Sequence, residues 1–329
     1  MYFCCMHNIS QYQQIFSDYL NSKTWQNQPA SLYEPINYIL SLGGKRLRPV
    51  LTLMSTELFG ADCVIALNAA MSVEIFHNFS LIHDDIMDQA PLRRGQQTVH
   101  EKWDLNTGIL SGDAMLILAG RFLEPYPAET FKPLMSLFNT TAIEVCEGQQ
   151  YDIDFETRND VTEEEYLKMI AYKTAVLVGA ALKMGAIIAG SSTQDADAIY
   201  KFGLYLGTAF QLQDDFLDAF GDPKTFGKQV GGDILENKKT YLYLKTLELA
   251  NEESAKKFIE TMNSDHLNNE IKVERIKSIY ESSGSKDATT KAVERFTEKA
   301  FAVLEEMTLP NDKKSVLKEF GMQLMNRTV

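Results

Sequence analysis

Apolar residues recur along nearly the whole chain at the three- and four-residue spacing of helices, and no stretch sustains the period-two alternation of a half-buried strand. Glycine and proline fall mainly between these segments. Residues 9–20 and 33–42 read as helices, the second ended by Gly43-Gly44. Another helix follows from Pro49, and residues 66–88 form one long helix. Gly112-Asp113-Ala114 opens the next, running to about Leu123, and residues 127–156 are mostly helical. Thr162 is an N-cap, and Glu163, Glu164 and Glu165 behind it suit a helix's first turn, so these acids read as structural. A second long helix spans 196–220; residues 242–249 are apolar; residues 251–325 are charged, amphipathic helix with a loop near 282–286, read as scaffold. The pattern predicts an all-α fold over residues 1–329 as a single domain, with residues 1–8 disordered or dispensable.

A length of 329 residues suits two average domains or one large helical one. The chain is 45% hydrophobic and 23% charged, an ordinary globular balance. A net charge of −13 argues against nucleic acid as a partner. Cys4, Cys5, Cys63 and Cys146 form no C-x-x-C pair, which suits a reducing cytoplasm, and Cys4/Cys5 lack metal-ligand partners at plausible spacing. Met1–Cys5 is short for a signal peptide, and Met6 is an equally good start. The longest apolar run, 175–190, is interrupted by Lys183 and is shorter than the roughly 20 residues that span a bilayer. It reads as a buried core helix, not a membrane span.

Chemistry enters with two Asp-Asp-x-x-Asp segments, Asp84-Asp85-Ile86-Met87-Asp88 and Asp214-Asp215-Phe216-Leu217-Asp218. On a helix the first and last aspartates lie on one face, about 6 Å apart along the axis, and the middle one flanks them. Like charges at that spacing cost a helix roughly 0.2–0.5 kcal/mol, and here the arrangement occurs twice among Phe, Leu and Ile. A multivalent cation would offset the repulsion, and all-oxygen ligands point to Mg²⁺ with substrate phosphates. A solvated acidic face is the alternative for either motif alone.

Basic residues gather where an anion would complete such a site. Lys45, Arg46 and Arg48 flank the Gly43-Gly44 turn at a helix start, where free amides favour phosphate; a solvated basic turn is the alternative. His77, seven residues before Asp84, falls on nearly the same face, and is either a core residue or part of the site. Arg93 and Arg94 offer forked donors matched to phosphate oxygens. Lys173 and Thr174 sit in an otherwise apolar helix and need partners. Residues 227–240, including Lys228 and Lys238, form a Gly/Lys-rich connection that suits either a phosphate-closing loop or an exposed one.

From Gly43 to about Thr240 the chain resembles the all-trans isoprenyl diphosphate synthases of the polyprenyl synthetase family. The resemblance rests on Gly43-Gly44-Lys45-Arg46-Leu47-Arg48-Pro49, His83-Asp84-Asp85-Ile86-Met87-Asp88, Arg93-Arg94-Gly95, Lys173-Thr174, residues 210–218 and Gly227-Lys228, in that order. It implies a single large helical bundle around a deep central cavity, usually a homodimer, that joins isopentenyl diphosphate head to tail to dimethylallyl, geranyl or farnesyl diphosphate. Asp84, Asp85, Asp88, Asp214, Asp215 and Asp218 would bind three Mg²⁺, directly or through water. Arg93, Lys173, Lys228 and Lys238 would grip the allylic diphosphate. Lys45, Arg48, His77 and Arg94 would hold isopentenyl diphosphate, and Lys173, Thr174 and Gln211 would lie near the developing carbocation. Gln97 stands where the family often has Pro, and the 228–238 connection varies among members.

By the same resemblance the product tunnel runs along the first acidic helix, with its floor at Phe79, a second ring at Phe76 and a small Ser80. A helical wheel places Phe79 about 140° and Phe76 about 80° from Asp84, so the floor assignment comes from the family, and both rings as ordinary core is the alternative. Large rings there imply a C15 or C20 product, and the two-residue spacing inside the first motif favours C20. A medium- or long-chain synthase, a terpene cyclase and a non-catalytic subunit of a heteromeric synthase are the competing readings. Retention of both acidic motifs and of the Gly-Gly-Lys turn argues against the last two.

Overall fold

The computed structural model describes residues 6–222, 230–264 and 266–325. Among them the fold is all-α, apart from one two-residue hairpin. The chain divides into two compact units: Met1–Thr140 with Ala180–Asp197, and Thr141–Gly179 with Ala198–Val329.

The first unit contains α1 (Ile9–Asn21), α2 (Ala30–Ser41), α3 (Leu47–Leu58) and α4 (Leu67–Met87). Strands β1 (Leu92–Arg93) and β2 (Gln96–Gln97) follow, then α5 (Leu105–Arg121) and the first part of α6 (Ala128–Thr157). α4 packs along α3 and α5. Its run from Ala69 to Phe76 is buried without interruption, and α3 is buried almost throughout. Burying each large apolar side chain contributes roughly 1.5–3 kcal/mol, which holds the acid-bearing end of α4 against its like charges.

One expected helix start is corrected. Gly112 does not open α5; it lies in its middle. The helix begins after Asp104, whose side chain accepts from the Thr107 amide at 2.9 Å. A Cβ at 112 would stand 2.3 Å from His83 Nε2, so this glycine serves close approach of α5 to α4. Within residues 1–8, the two nearest α1 make defined contacts. Asn8 caps α1 in a capping box with Gln11, and His7 pairs with Glu57; Met1–Cys5 lie outside the described residues.

The second unit contains the rest of α6, then α7 (Glu163–Ile170), a π-turn over Ala171–Ala175, and the start of α8 (Val176–Ile188). It continues with most of α9 (Thr193–Phe220), α10 (Tyr241–Leu249), α11 (Glu252–Met262), α12 (Asn269–Ser283), α13 (Ser285–Glu306) and α14 (Asn311–Met325). The expected loop near 282–286 contracts to one left-handed Gly284 between α12 and α13. Thr162 and Glu165 form the capping box, while Glu163 turns to Lys245 at 2.6 Å and to the Tyr241 hydroxyl. One apolar cluster joins Phe155, Tyr166, Ile170 and Leu212; another joins Ala219, Leu242, Phe258 and Tyr280. Two helical stretches, Cys63–Met87 and Glu163–Ile188, are long and apolar enough to cross a membrane, but most of each is buried within the protein.

Candidate active site

In the first unit, the Gly43-Gly44 turn runs through φ of 79° and 126°, and Arg46 is left-handed at 50°. The turn separates its cations by task. Arg46 points inward to Glu74 and to the Leu40 carbonyl, so it is a structural ion pair. Lys45 is exposed at the turn, and Arg48 stands in the first turn of α3 with Nη1 3.1 Å from His77 Nε2. Arg94 donates to the Gly43 carbonyl, and its guanidinium lies against Gly44 so closely that a Cβ there would come within 2.8–2.9 Å of three of its atoms.

Burial, and then Arg48, Arg94, Arg93 and Arg46, push the His77 pKa well below its usual range. The imidazole is therefore neutral and can accept from Arg48. The buried Nε of Arg48 has no hydrogen-bond partner among the described residues. A buried guanidinium with an unused donor, beside further arginines, is short of an anion.

The end of α4 carries the first acidic motif. Asp88 is exposed and Asp84 half-buried, whereas Asp85 is 1% exposed. Arg93 Nε meets both Asp85 oxygens at 2.8 Å and its Nη2 approaches to 2.6 Å. Burial raises the Asp85 pKa and this pairing opposes it. Rings extend along the same helix: Phe76 and Phe79 have centroids 5.5 Å apart, Phe79 meets His83 at 4.8 Å, and Phe138 stands edge-on to Phe76 at 5.5 Å. Ser80 donates to the His77 carbonyl at 2.9 Å.

In the second unit a cavity of about 200 Å³ gathers Lys173, Thr174, Gln211, Asp214, Asp215, Asp218 and Lys238, all singled out from sequence. Asp152, Tyr166 and Asp233 also line it, and sequence reasoning gave them no role. The π-turn presents Lys173 and Thr174; such turns are frequent at functional sites. Lys173 Nζ reaches Asp152 Oδ2 at 2.5 Å. The Thr174 hydroxyl donates to Gln211 Oε1 at 3.2 Å, and Gln211 Nε2 donates to Asp215 Oδ1 at 3.1 Å. The Tyr166 hydroxyl donates to the other Asp215 oxygen. Asp218 accepts from the Asp233 amide at 3.0 Å, and Lys238 bridges Glu236 at 2.8 Å and Asp233 at 3.7 Å. Gly227 and Lys228 lie outside the described residues.

The two motifs share one asymmetry. Each middle aspartate is buried and occupied, Asp85 by Arg93 and Asp215 by Tyr166 and Gln211, while the outer aspartates are less buried. Burial and the neighbouring Asp233 and Asp214 push the Asp215 pKa well up. A further negative charge is therefore disfavoured beside Asp214 and Asp233, a repulsion that a cation would relieve, and the oxygen-only donor set fits Mg²⁺.

The Polyprenyl synthetase family model matches residues 29–282. The chain is 40% identical over 254 residues to a geranylfarnesyl diphosphate synthase of Natronomonas pharaonis, covering 72% of this chain and 74% of that protein. It is 42% identical over 223 residues to a geranylgeranyl diphosphate synthase of Methanosarcina mazei, covering 67% and 69%. A crystal structure of a geranylgeranyl pyrophosphate synthase superposes with a TM-score of 0.95 at 53% identity, covering 98% of this chain and all of the other.

Proposed function

Because this chain belongs to the polyprenyl synthetase family, we propose that it is a short-chain prenyltransferase that joins isopentenyl diphosphate head to tail to an allylic diphosphate and releases diphosphate. The observation that carries this reading is the anion-deficient cluster of Arg48, neutral His77 and Arg94, present in the same unit as the aspartates of α4. A site of that composition holds a second phosphorylated substrate, with no need for metal.

The roles follow from the donors. Asp84, Asp88, Asp214 and Asp218 would hold Mg²⁺ for the allylic diphosphate, three ions in all, with Asp85 and Asp215 as the buried members that orient each motif. Mg²⁺ neutralises charge that builds on the departing diphosphate. Arg93, Lys173, Lys228 and Lys238 would add cationic grip, and Lys45, Arg48, His77 and Arg94 would hold isopentenyl diphosphate. The hydrogen bonds of Gln211 to Thr174 and Asp215 fix its amide, so its carbonyl dipole and the Thr174 oxygen are oriented before an allylic cation forms. The isopentenyl double bond attacks that cation, and proton loss from the adduct gives the longer allylic product. No side-chain nucleophile is required.

Phe79, backed by Phe76 and Phe138, would end the product at C20 or C15, with C20 favoured. The likeness to a geranylfarnesyl synthase makes C25 the second reading. A homodimer is supported by the outer face of α5, where Leu110 and Ile117, one heptad apart, are 58% and 66% exposed beside Leu105 and Ile109. A cytoplasmic location suits the cysteine pattern.

Purified protein supplied with Mg²⁺, labelled isopentenyl diphosphate and C5, C10 or C15 primers should give a single C20 or C15 product, and Asp84→Ala should abolish condensation while leaving the helical circular dichroism unchanged. Full turnover by Asp84→Ala would refute the metal assignment, and no elongation from any primer would refute the function.

A further inference from the structure

We propose that Glu74 is a positioning residue for the isopentenyl diphosphate site, which it aligns through its buried pair with Arg46. The inference rests on the reading of residues 43–48, His77 and Arg94 as that site, and Glu74 itself would touch no substrate. Arg46 stands between Lys45 and Arg48, yet its side chain points inward. As the N-cap residue of α3, it gives Nη1 to Glu74 of α4 and Nη2 to the Leu40 carbonyl near the end of α2. One guanidinium therefore ties three helices together at the turn. The Arg46 and Glu74 side chains are 8% and 3% exposed. Asn78, one turn along α4, donates to Glu74 Oε1 at 2.9 Å and to the Glu74 carbonyl at 2.8 Å, which holds the carboxylate in place.

The turn needs such an anchor. Arg46 is left-handed, at φ 50° and ψ 37°, a conformation that a residue with a side chain keeps only where its surroundings enforce it. Stability alone does not call for the ion pair, since apolar residues of similar volume often replace a buried pair without loss. Apolar residues cannot reproduce its direction. A forked donor with one anchor on α4 and another on α2 restricts the backbone that carries it. Lys45 and Arg48, on either side of Arg46, are oriented with it. From outside the turn, Gln13 of α1 donates to the Lys45 carbonyl at 2.8 Å.

Glu74 also sets the turn against the rest of the site. It lies three residues before His77, on the same face of α4, and ten before Asp84, about 15 Å along the helix. The anchor of the turn and the first acidic motif thus belong to one helix. The pair fixes where the second diphosphate would stand relative to Asp84 and Asp88. Its charge also reaches the two arginines assigned to that diphosphate. Burial lowers the Arg48 pKa and Glu74 opposes the fall. Burial and Arg46 lower that of Arg94, and Glu74 again opposes.

The test is steady-state prenyl transfer by the full chain with Mg²⁺, an allylic primer and labelled isopentenyl diphosphate. Arg46→Met with Glu74→Leu removes both charges together, so neither is left buried alone. This paired variant should keep the helical circular dichroism and raise the KM for isopentenyl diphosphate about tenfold, with the primer KM and kcat within about threefold. Arg46→Lys keeps the charge and loses the fork, and should raise the same KM about threefold. In a Lys45→Ala background the penalty of the paired variant should shrink below about threefold, because the lysine it displaces is gone, whereas independent effects would multiply. A wild-type KM in the paired variant, equal losses for both substrates, or full multiplication with Lys45→Ala would overturn the proposal. Should the paired variant fail to fold, Arg46→Lys decides: a selective rise in the KM for isopentenyl diphosphate supports the role, and a wild-type KM overturns it. If Lys45→Ala and Arg48→Ala leave that KM unchanged, the substrate-site reading fails and the proposal with it. If they raise it and the paired variant does not, the positioning role alone fails.

Discussion

Gly148 offers the sharpest single perturbation of the candidate site. A Cβ at this position of α6 would stand 2.2 Å from the Lys173 amide nitrogen, 2.7 Å from the Tyr172 carbonyl carbon and 2.8 Å from Lys173 Cα. All three are backbone atoms of the π-turn, so no side-chain rotation relieves the clash. Restoring an ordinary contact of 3.4 Å demands about 1.2 Å of displacement. The moving segment presents Lys173 and Thr174, and a misplacement of about 1 Å costs on the order of 100-fold in rate. Overpacking adds about 1–3 kcal/mol of destabilisation, of which the helix preference of alanine returns up to about 1 kcal/mol. Gly148→Ala should therefore lower kcat about 100-fold, depress the melting temperature by no more than about 6 °C, and leave the KM for isopentenyl diphosphate within about twofold. Steady-state incorporation of labelled isopentenyl diphosphate into an allylic primer reads both constants. Gly120→Ala is the control, since its Cβ would crowd only the flexible Met135 methyl at 3.3 Å and touch Phe138 at an ordinary 3.9 Å, and turnover should be unchanged. Wild-type kcat and melting in Gly148→Ala would refute the claim that the π-turn's placement depends on a bare backbone at 148.

Three further expectations concern the first unit. Gly44→Ala should displace the Arg94 guanidinium and raise the KM for isopentenyl diphosphate about tenfold or more with a smaller effect on the allylic primer; equal effects on both would contradict the division of substrates. Phe79→Ala should lengthen the product by at least one C5 unit in a chain-length assay, and an unchanged profile would return Phe79 to the core. His77, with its pKa lowered on folding, is neutral in folded and unfolded chains above its ordinary value of 6.5. Below that pH the unfolded chain takes a proton that the folded chain refuses, so stability falls as pH drops from 6.5, by up to about 1.4 kcal/mol per pH unit until the folded value is reached. Denaturant midpoints from pH 8 to 5 should show this slope in the wild type and a shallower one in His77→Gln; parallel slopes would count against a neutral buried imidazole.

Long amphipathic segments were legible because each makes its own case through periodicity. The expected helix of 127–156 and the observed Ala128–Thr157 agree within a residue at each end. Gly112 misleads because a helix-breaking residue looks the same whether it ends a helix or lets two helices touch, and the difference lies in the His83 ring opposite. Aspartate pairs and Lys173-Thr174 stood out because charged and polar residues in apolar surroundings need partners, and Arg48 and Arg93 because cations gather at a helix-start turn and just after the first acidic motif. Which partner each takes depends on contacts distant in sequence, as with Arg46 to Glu74 or Tyr166 to Asp215. The π-turn has no spacing signature, and His7 and Glu57 meet only because α1 folds onto α3.

The β1–β2 hairpin has a further consequence. Its register pairs Leu92 with Gln97 and Arg93 with Gln96, so the loop is only Arg94-Gly95, both left-handed at φ of 54° and 75°. Such a loop matches the strand twist and has little freedom. Arg93, at its base, faces Asp85; Arg94, at its tip, faces the Gly43-Gly44 turn. If the two arginines hold different diphosphates, one tight loop is a caliper set to the gap between the reacting partners. The span between electrophile and alkene is then built into four residues of backbone, and does not have to be found anew at each turnover.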